Sequence, residues 1–171
     1  MTFERSLNYG LAGETLIARW LQRRGWTVLP VYEKVMDTGK GPTLFLPDRK
    51  LIAPDMFVFN SQKAWWIEAK HKTGFSWNRT SQRWVTGIDL NHYMDYLLVE
   101  DLTPWPVWLL FLQRGGQAKD SPISPSGLFG NALDYLRNHE SHRSQKYGSY
   151  GMVYWSIDVL KKMSDIKDIV V

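Results

Sequence analysis

Two apolar runs on either side of a short polar stretch constrain this chain more than any other feature. Residues 51–60 read Leu-Ile-Ala-Pro-Asp-Met-Phe-Val-Phe-Asn, and residues 64–70 read Ala-Trp-Trp-Ile-Glu-Ala-Lys, with Ser61, Gln62 and Lys63 between them. Both runs are rich in β-branched and aromatic residues and predict strands; the polar stretch predicts a turn. With Ser61 and Gln62 as a two-residue hairpin loop, Asn60 pairs with Lys63 and the register places Asp55 opposite Glu68. A longer loop would shift that register by a residue. Opposed residues share a face with Cβ atoms roughly 5 Å apart, and Lys70, two positions beyond Glu68, lies on the same face. Two carboxylates this close repel each other unless a cation lies between them. An all-oxygen ligand set suits Mg²⁺ or Mn²⁺, which take one or two carboxylates together with water and substrate phosphates.

The remainder of the chain predicts one α/β domain spanning residues 1–171. Helical periodicity runs from about Ser6 to Arg24 and is closed by Gly25. Trp26 to Glu33 reads as a strand, and residues 36–50, with Gly39, Gly41, Pro42 and Pro47, read as a loop. After the hairpin, residues 73–87 lack clear periodicity. A second helix is expected over Asp89 to Glu100, then a buried strand over Val107 to Gln113, and a mobile Gly/Ser/Pro-rich loop over 114–127. Leu128 to Glu140 reads as helix, Gly151 to Ile157 as a last strand, and Asp158 as the cap of a short terminal helix ending at Met163. This order implies a central mixed sheet flanked by helices.

Composition narrows the classes of function. The chain has no cysteine, which excludes disulfide frameworks and thiolate metal sites. A net charge of +4 and a pI near 9.3 permit a nucleic-acid partner. The longest apolar run, around Val107 to Leu112, is too short to span a membrane, and Glu4 and Arg5 precede an amphipathic pattern rather than a signal-peptide core. A soluble, cytoplasmic protein is the expectation.

Glu14 is the second informative residue. Leu7, Leu11, Ala18 and Leu21 fall on one helical stripe, and Glu14 occupies the stripe's missing position. A carboxylate facing a core is costly. Either Glu14 lies at the stripe's edge, or it pairs with Arg5 or Arg19, or it reaches the rim of the sheet beside Asp55 and Glu68 as a further ligand to metal or water.

Taken together, Glu14 on an opening helix, the Gly25-Trp26 junction, Pro54-Asp55 and Glu68-Ala69-Lys70 resemble the PD-(D/E)XK nuclease superfamily, and within it the Holliday-junction resolvase-like and virus-type (phage or mobile-element) branches. The resemblance implies a restriction-endonuclease-like three-layer α/β/α core, with helix, three strands, helix and strand over the first 113 residues. It implies that Asp55 and Glu68 bind Mg²⁺ with the carbonyl of Ala69 as a further ligand, that Lys70 orients or activates the attacking water, and that Glu14 is an auxiliary acid. The implied activity is metal-dependent endonucleolytic hydrolysis of DNA phosphodiesters. A homodimer is expected where both strands are to be cut, and RNA stays open as a substrate.

The segment after the motif interleaves cations with aromatics. His71, Lys72, Trp77, Arg79 and Arg83 suit phosphate contact and base stacking, and Tyr93 or His92 on the second helix suits substrate positioning. The alternative for Trp77 is packing onto the core. Two further readings of the chain compete with the nuclease. One is a catalytically inactive nucleic-acid-binding module of the same fold, and the other is an interaction protein that presents its 9 tryptophans to a partner.

Overall fold

The computed structural model describes residues 3–31, 42–118, 121–146, 148 and 150–170, with the backbone alone for residues 3–11. The chain opens with α1 (Phe3–Gln22), which ends in a Schellman turn: Trp26 N–H donates to Leu21 C=O at 3.2 Å and Gly25 N–H to Gln22 C=O at 3.0 Å. Gly25 sits at φ +82°, the left-handed conformation this cap requires. The chain then forms β1 (Thr27–Pro30), β2 (Thr43–Phe45), β3 (Lys50–Ile52), β4 (Met56–Phe59) and β5 (Ala64–Lys72). Next come β6 (Ser76–Asn78), β7 (Arg83–Asp89), α2 (Leu90–Leu102) and β8 (Val107–Gln113). The C-terminal part holds β9 (Gly116–Gln117), β10 (Ile123–Ser124), β11 (Gly127–Ala132), α3 (Leu133–Arg137), β12 (His142–Ser144), β13 (Met152–Ser156) and β14 (Lys161–Ser164).

Six strands form the main sheet in the order β1-β4-β5-β8-β11-β14. The β5–β8 pair is parallel and the other neighbours are antiparallel, so the sheet is mixed. Buried residues divide between its two faces. On one, Ile17, Trp20 and Leu21 of α1 pack on Met56, Val58, Ile67, Leu110 and Leu112. On the other, Tyr93, Tyr96 and Val99 of α2 pack on Val107, Leu109 and Phe111. This is the α/β/α arrangement with a central mixed sheet that the sequence predicts. A second, four-stranded antiparallel sheet, β12-β13-β7-β6, joins the α2 side through Ile88, Val153 and Trp155.

Several expectations are corrected. The predicted loop over 36–50 contains β2 and the first residue of β3, which pair as a two-stranded ribbon; residues 32–41 lie outside the described residues. The aperiodic stretch 73–87 holds β6 and β7 of the second sheet, whose residues are held by cross-strand partners rather than by a simple alternation of their own. The expected mobile loop over 114–127 contains the β9–β10 ribbon. The expected helix from Leu128 begins as β11, a strand paired on both sides within the main sheet, and turns helical only at Leu133. In place of a helix to Met163 there is a 3₁₀ turn, Ile157–Val159, capped by the Ser156 hydroxyl, then strand β14 and a second 3₁₀ turn, Ile166–Asp168.

Candidate active site

The β4–β5 hairpin follows the predicted register. Met56 pairs with Ile67, Phe57 with Trp66, Val58 with Trp65 and Phe59 with Ala64, and Asn60 N–H closes the turn on Lys63 C=O at 2.9 Å. The Asn60 Oδ1 holds the loop by accepting from the N–H groups of Gln62 and Lys63, each at 2.9 Å. Asp55 lies one residue past the last ladder pair. Its backbone C=O accepts from Val31 N–H, and its Oδ2 accepts from Ala69 N–H at 2.8 Å. The carboxylate is therefore clamped across β5 beside Glu68.

Side chains alternate along β5. Trp65, Ile67 and Ala69 face the α1 core, while Trp66 faces the α2 core. Glu68 and Lys70 share the Trp66 side and lie beneath α2. Glu68 is 1% exposed and ion-paired to the Lys70 Nζ, and Lys70 is 28% exposed. The Tyr96 hydroxyl of α2 is a second hydrogen-bond partner of Glu68. Burial opposes the Lys70 charge, but Glu68, Asp55 and Glu14 together outweigh it and hold the ammonium above the usual lysine range. Asp55 is pushed up to about 8, first by burial and then by Glu68 and Glu14, against the opposing pull of Lys70 and the Ala69 N–H.

Glu14 belongs to this electrostatic group. Burial raises its pKa, Lys70 lowers it and Glu68 raises it. The buried line of α1 runs through Gly13, Ile17, Trp20 and Leu21, one position round from the predicted stripe, which turns Glu14 to the flank of the helix. Gly13 lets α1 lie against β5: a Cβ there would be 2.3 Å from the His71 Cβ. Because α1 and Glu68 occupy opposite faces of the sheet, Glu14 meets the acids only at the rim. Among the described residues no group of three or more His, Asp or Glu side chains is arranged to hold a metal ion. Glu14, Asp55 and Glu68 nonetheless act on one another's charge.

Asp55 and Glu68 suit a divalent cation in their donor chemistry. Glu68 offers a buried carboxylate whose charge is met by Lys70, and Asp55 carries a carboxyl that a neighbouring cation would ionise. Mg²⁺ coordinated by two carboxylates and water needs no third acid.

Two residues of α2 complete the surroundings. Tyr96 is 1% exposed, and its hydroxyl is held in the neutral form first by burial and then by the charges of Glu68 and Asp55. His92, one turn earlier, stacks edge-on against Tyr96 at 6.1 Å, and its buried Nδ1 has no hydrogen-bond partner. Asp95 ties β3 to the helix by accepting from Ile52 N–H at 2.8 Å. Sequence reasoning misses Tyr96, although its spacing of four from His92 puts both on one helical face. It also misses Gln113, which is fully buried, donates to the Thr86 hydroxyl at 3.1 Å, and leaves its Oε1 without a partner beside Lys72 in the β5–β8 register.

The predicted nucleic-acid contacts separate in space. Lys72 lies on the Glu68 side of β5, with its pKa lowered first by burial and then by Lys70. His71 faces α1, and its Nε2 accepts from Arg114 Nε at 2.8 Å. Trp77 packs edge-on against Trp84 at 4.9 Å and, with the exposed Arg79, lines a groove of about 540 Å³ that starts just past the end of β5. Arg83 is exposed and pairs with Asp158 at 3.3 Å. Tyr93 is a correction. It is 1% exposed, stacks on Trp155, and donates its hydroxyl to Glu140 at 2.6 Å, so it belongs to the core and not to a binding surface.

No protein-family model matches the chain, and no curated protein sequence matches it. In structure the chain is similar to Hjc, a Holliday junction resolvase from Archaeoglobus fulgidus, with a TM-score of 0.52, 9% identity, and coverage of 88% of this chain and 90% of that chain. The chain has a resolvase-like, restriction-endonuclease-like α/β fold.

Proposed function

We propose that this chain is a divalent-cation-dependent endonuclease that hydrolyses DNA phosphodiesters at the rim of β4 and β5. The observation that carries this reading is Glu68: a buried carboxylate ion-paired to Lys70, beside a clamped Asp55, on a resolvase-like fold. Asp55 and Glu68 would hold Mg²⁺ or Mn²⁺, with the Ala69 carbonyl as a further donor. When bound, the cation would supply Lewis acidity to the phosphodiester and lower the pKa of a water.

The chain's own groups do the rest. Glu68 supplies negative charge where a cation is needed, Asp55 would ionise as the cation binds, and the Ala69 N–H fixes the orientation of Asp55. Lys70 donates a hydrogen bond to the attacking water or to a phosphate oxygen, countering charge as it develops. Glu14 adds to the negative field from the helix flank and accepts from water at the rim. Trp77 and Arg79, in the groove just past the end of β5, would border the path of a nucleic-acid strand. No helix among the described residues is long and apolar enough to cross a membrane.

The test is a cleavage panel of labelled single-stranded, duplex, flap and four-way DNA with Mg²⁺ or Mn²⁺. Wild type should cut at least one substrate, and the double variant Asp55→Ala/Glu68→Ala should cut none while keeping its fold. Undiminished cleavage by the double variant overturns the mechanism. DNA binding without cleavage or cation binding points to an inactive module instead.

A further inference from the structure

The α1 face of the main sheet carries a groove that the acid pair does not use. It has a volume of about 420 Å³, within the range of roughly 300–1,000 Å³ typical of small-molecule pockets. Its wall is a run of indoles. Trp26 and Trp65 lie 4.2 Å apart at 36°, and Trp65 and Trp108 lie 5.2 Å apart, stacked at 24°. All three are half-buried: they pack on the core of the α1 side and on one another while lining the groove. Trp20 lines the same groove. It is 3% exposed, and its indole N–H has no hydrogen-bond partner, which leaves a donor without an acceptor in the wall.

The charged side chains that line the groove are cations. Arg24, Lys161 and Lys162 line it, and among the described residues no Asp or Glu does. Arg24 lies over the Trp20 ring at 4.2 Å and Lys161 over the Trp108 ring at 5.8 Å, while Lys162 pairs with Asp165 just outside. An occupant must present a flat π-face to the indoles and negative charge to the cations. An apolar peptide supplies neither. An unpaired nucleobase with its flanking phosphates supplies both, and base–indole stacking tolerates any sequence.

We propose that this tryptophan groove is a stacking site for an unpaired base of a single-stranded nucleic acid. It is separate from Glu68 and Lys70, which face the opposite side of the sheet, and it does not depend on cleavage.

The test measures binding of a fluorescent oligothymidylate of roughly eight nucleotides, a length within the span of single-strand sites. It is run in EDTA by anisotropy, against an abasic oligomer of equal length. The abasic oligomer keeps the phosphates and lacks the bases. The expected result is binding about tenfold weaker for the abasic oligomer, and about tenfold weaker for Trp108→Ala with the normal oligomer. Should Trp108→Ala fail to fold, Lys161→Glu tests the same groove with an exposed side chain, and it should weaken binding and flatten the salt dependence. Trp105→Ala, an exposed indole outside the groove, should bind the oligomer as wild type does, which separates this site from general indole–base contact. Equal affinity for the normal and abasic oligomers overturns the proposal, as does unchanged affinity in folded Trp108→Ala and Lys161→Glu. Self-association that Trp108→Ala abolishes also overturns it, because the groove would then be an interface between copies.

Discussion

Replacing Asp55 by asparagine should stabilise the metal-free protein, and the gain should grow with pH. Burial and the charges of Glu68 and Glu14 hold the Asp55 carboxyl at about 8, against 3.8 for an unperturbed aspartate. Between those two values the folded chain keeps a proton that the unfolded chain has released. Wild-type stability therefore falls as pH rises through this window, and the loss is complete once the folded form has ionised. At roughly 1.4 kcal/mol per pH unit the ceiling is about 6 kcal/mol. Water entry and rearrangement of Lys70 in a half-open site reduce the expected effect to about 2–3 kcal/mol. The amide introduced by Asp55→Asn carries no charge and can still accept from the Ala69 N–H. The assay is urea unfolding in EDTA, followed by tryptophan fluorescence, for both proteins from about pH 5 to about pH 9. The stability of Asp55→Asn relative to wild type should rise by at least about 2 kcal/mol across that range, with unchanged m-values. A constant difference across the range, or a variant less stable than wild type at the alkaline end, refutes the electrostatic account of the site.

Two other predictions address how the site is held. Gly13→Ala would place a Cβ 2.3 Å from the His71 Cβ, so α1 must move off β5; a loss of about 1–3 kcal/mol is expected, and a neutral outcome would show that the helix has slack there. Tyr96→Phe removes the hydroxyl beside Glu68. Stability should change by less than about 1.5 kcal/mol while kcat for DNA cleavage falls about tenfold, and a rise in KM alone would assign Tyr96 to substrate binding instead.

The parts of the fold legible in the sequence are those set by local chemistry. The β4–β5 register follows from a two-residue loop braced by Asn60, and β8 is a continuous apolar run of the length a central strand needs. Asp55 and Glu68 come together because a hairpin's geometry is short-range. β11 reads as helix because Leu128, Phe129, Leu133 and Leu136 mimic helical spacing, whereas its strand form depends on β8 and β14, which lie far away in sequence. β14 misleads for the same reason, since its pairing with β11 is the long-range contact that selects strand over helix. The position of Glu14 escapes the sequence through rotation of the helix. One residue turns the face by about 100°, enough to move a carboxylate from the stripe to its flank. Tyr96 is hidden because nothing along α2 itself announces which face will cover β5; that follows only from how the helix lies on the sheet.

Titration with Mn²⁺, following the loss of the free-ion EPR signal, tests the central claim most directly, that Asp55 and Glu68 together form a divalent-cation site. Wild type should take up Mn²⁺ at millimolar concentration or below, and Asp55→Asn and Glu68→Gln should each weaken that uptake severely. No uptake by wild type at millimolar Mn²⁺, or uptake that survives in the double variant, contradicts the account.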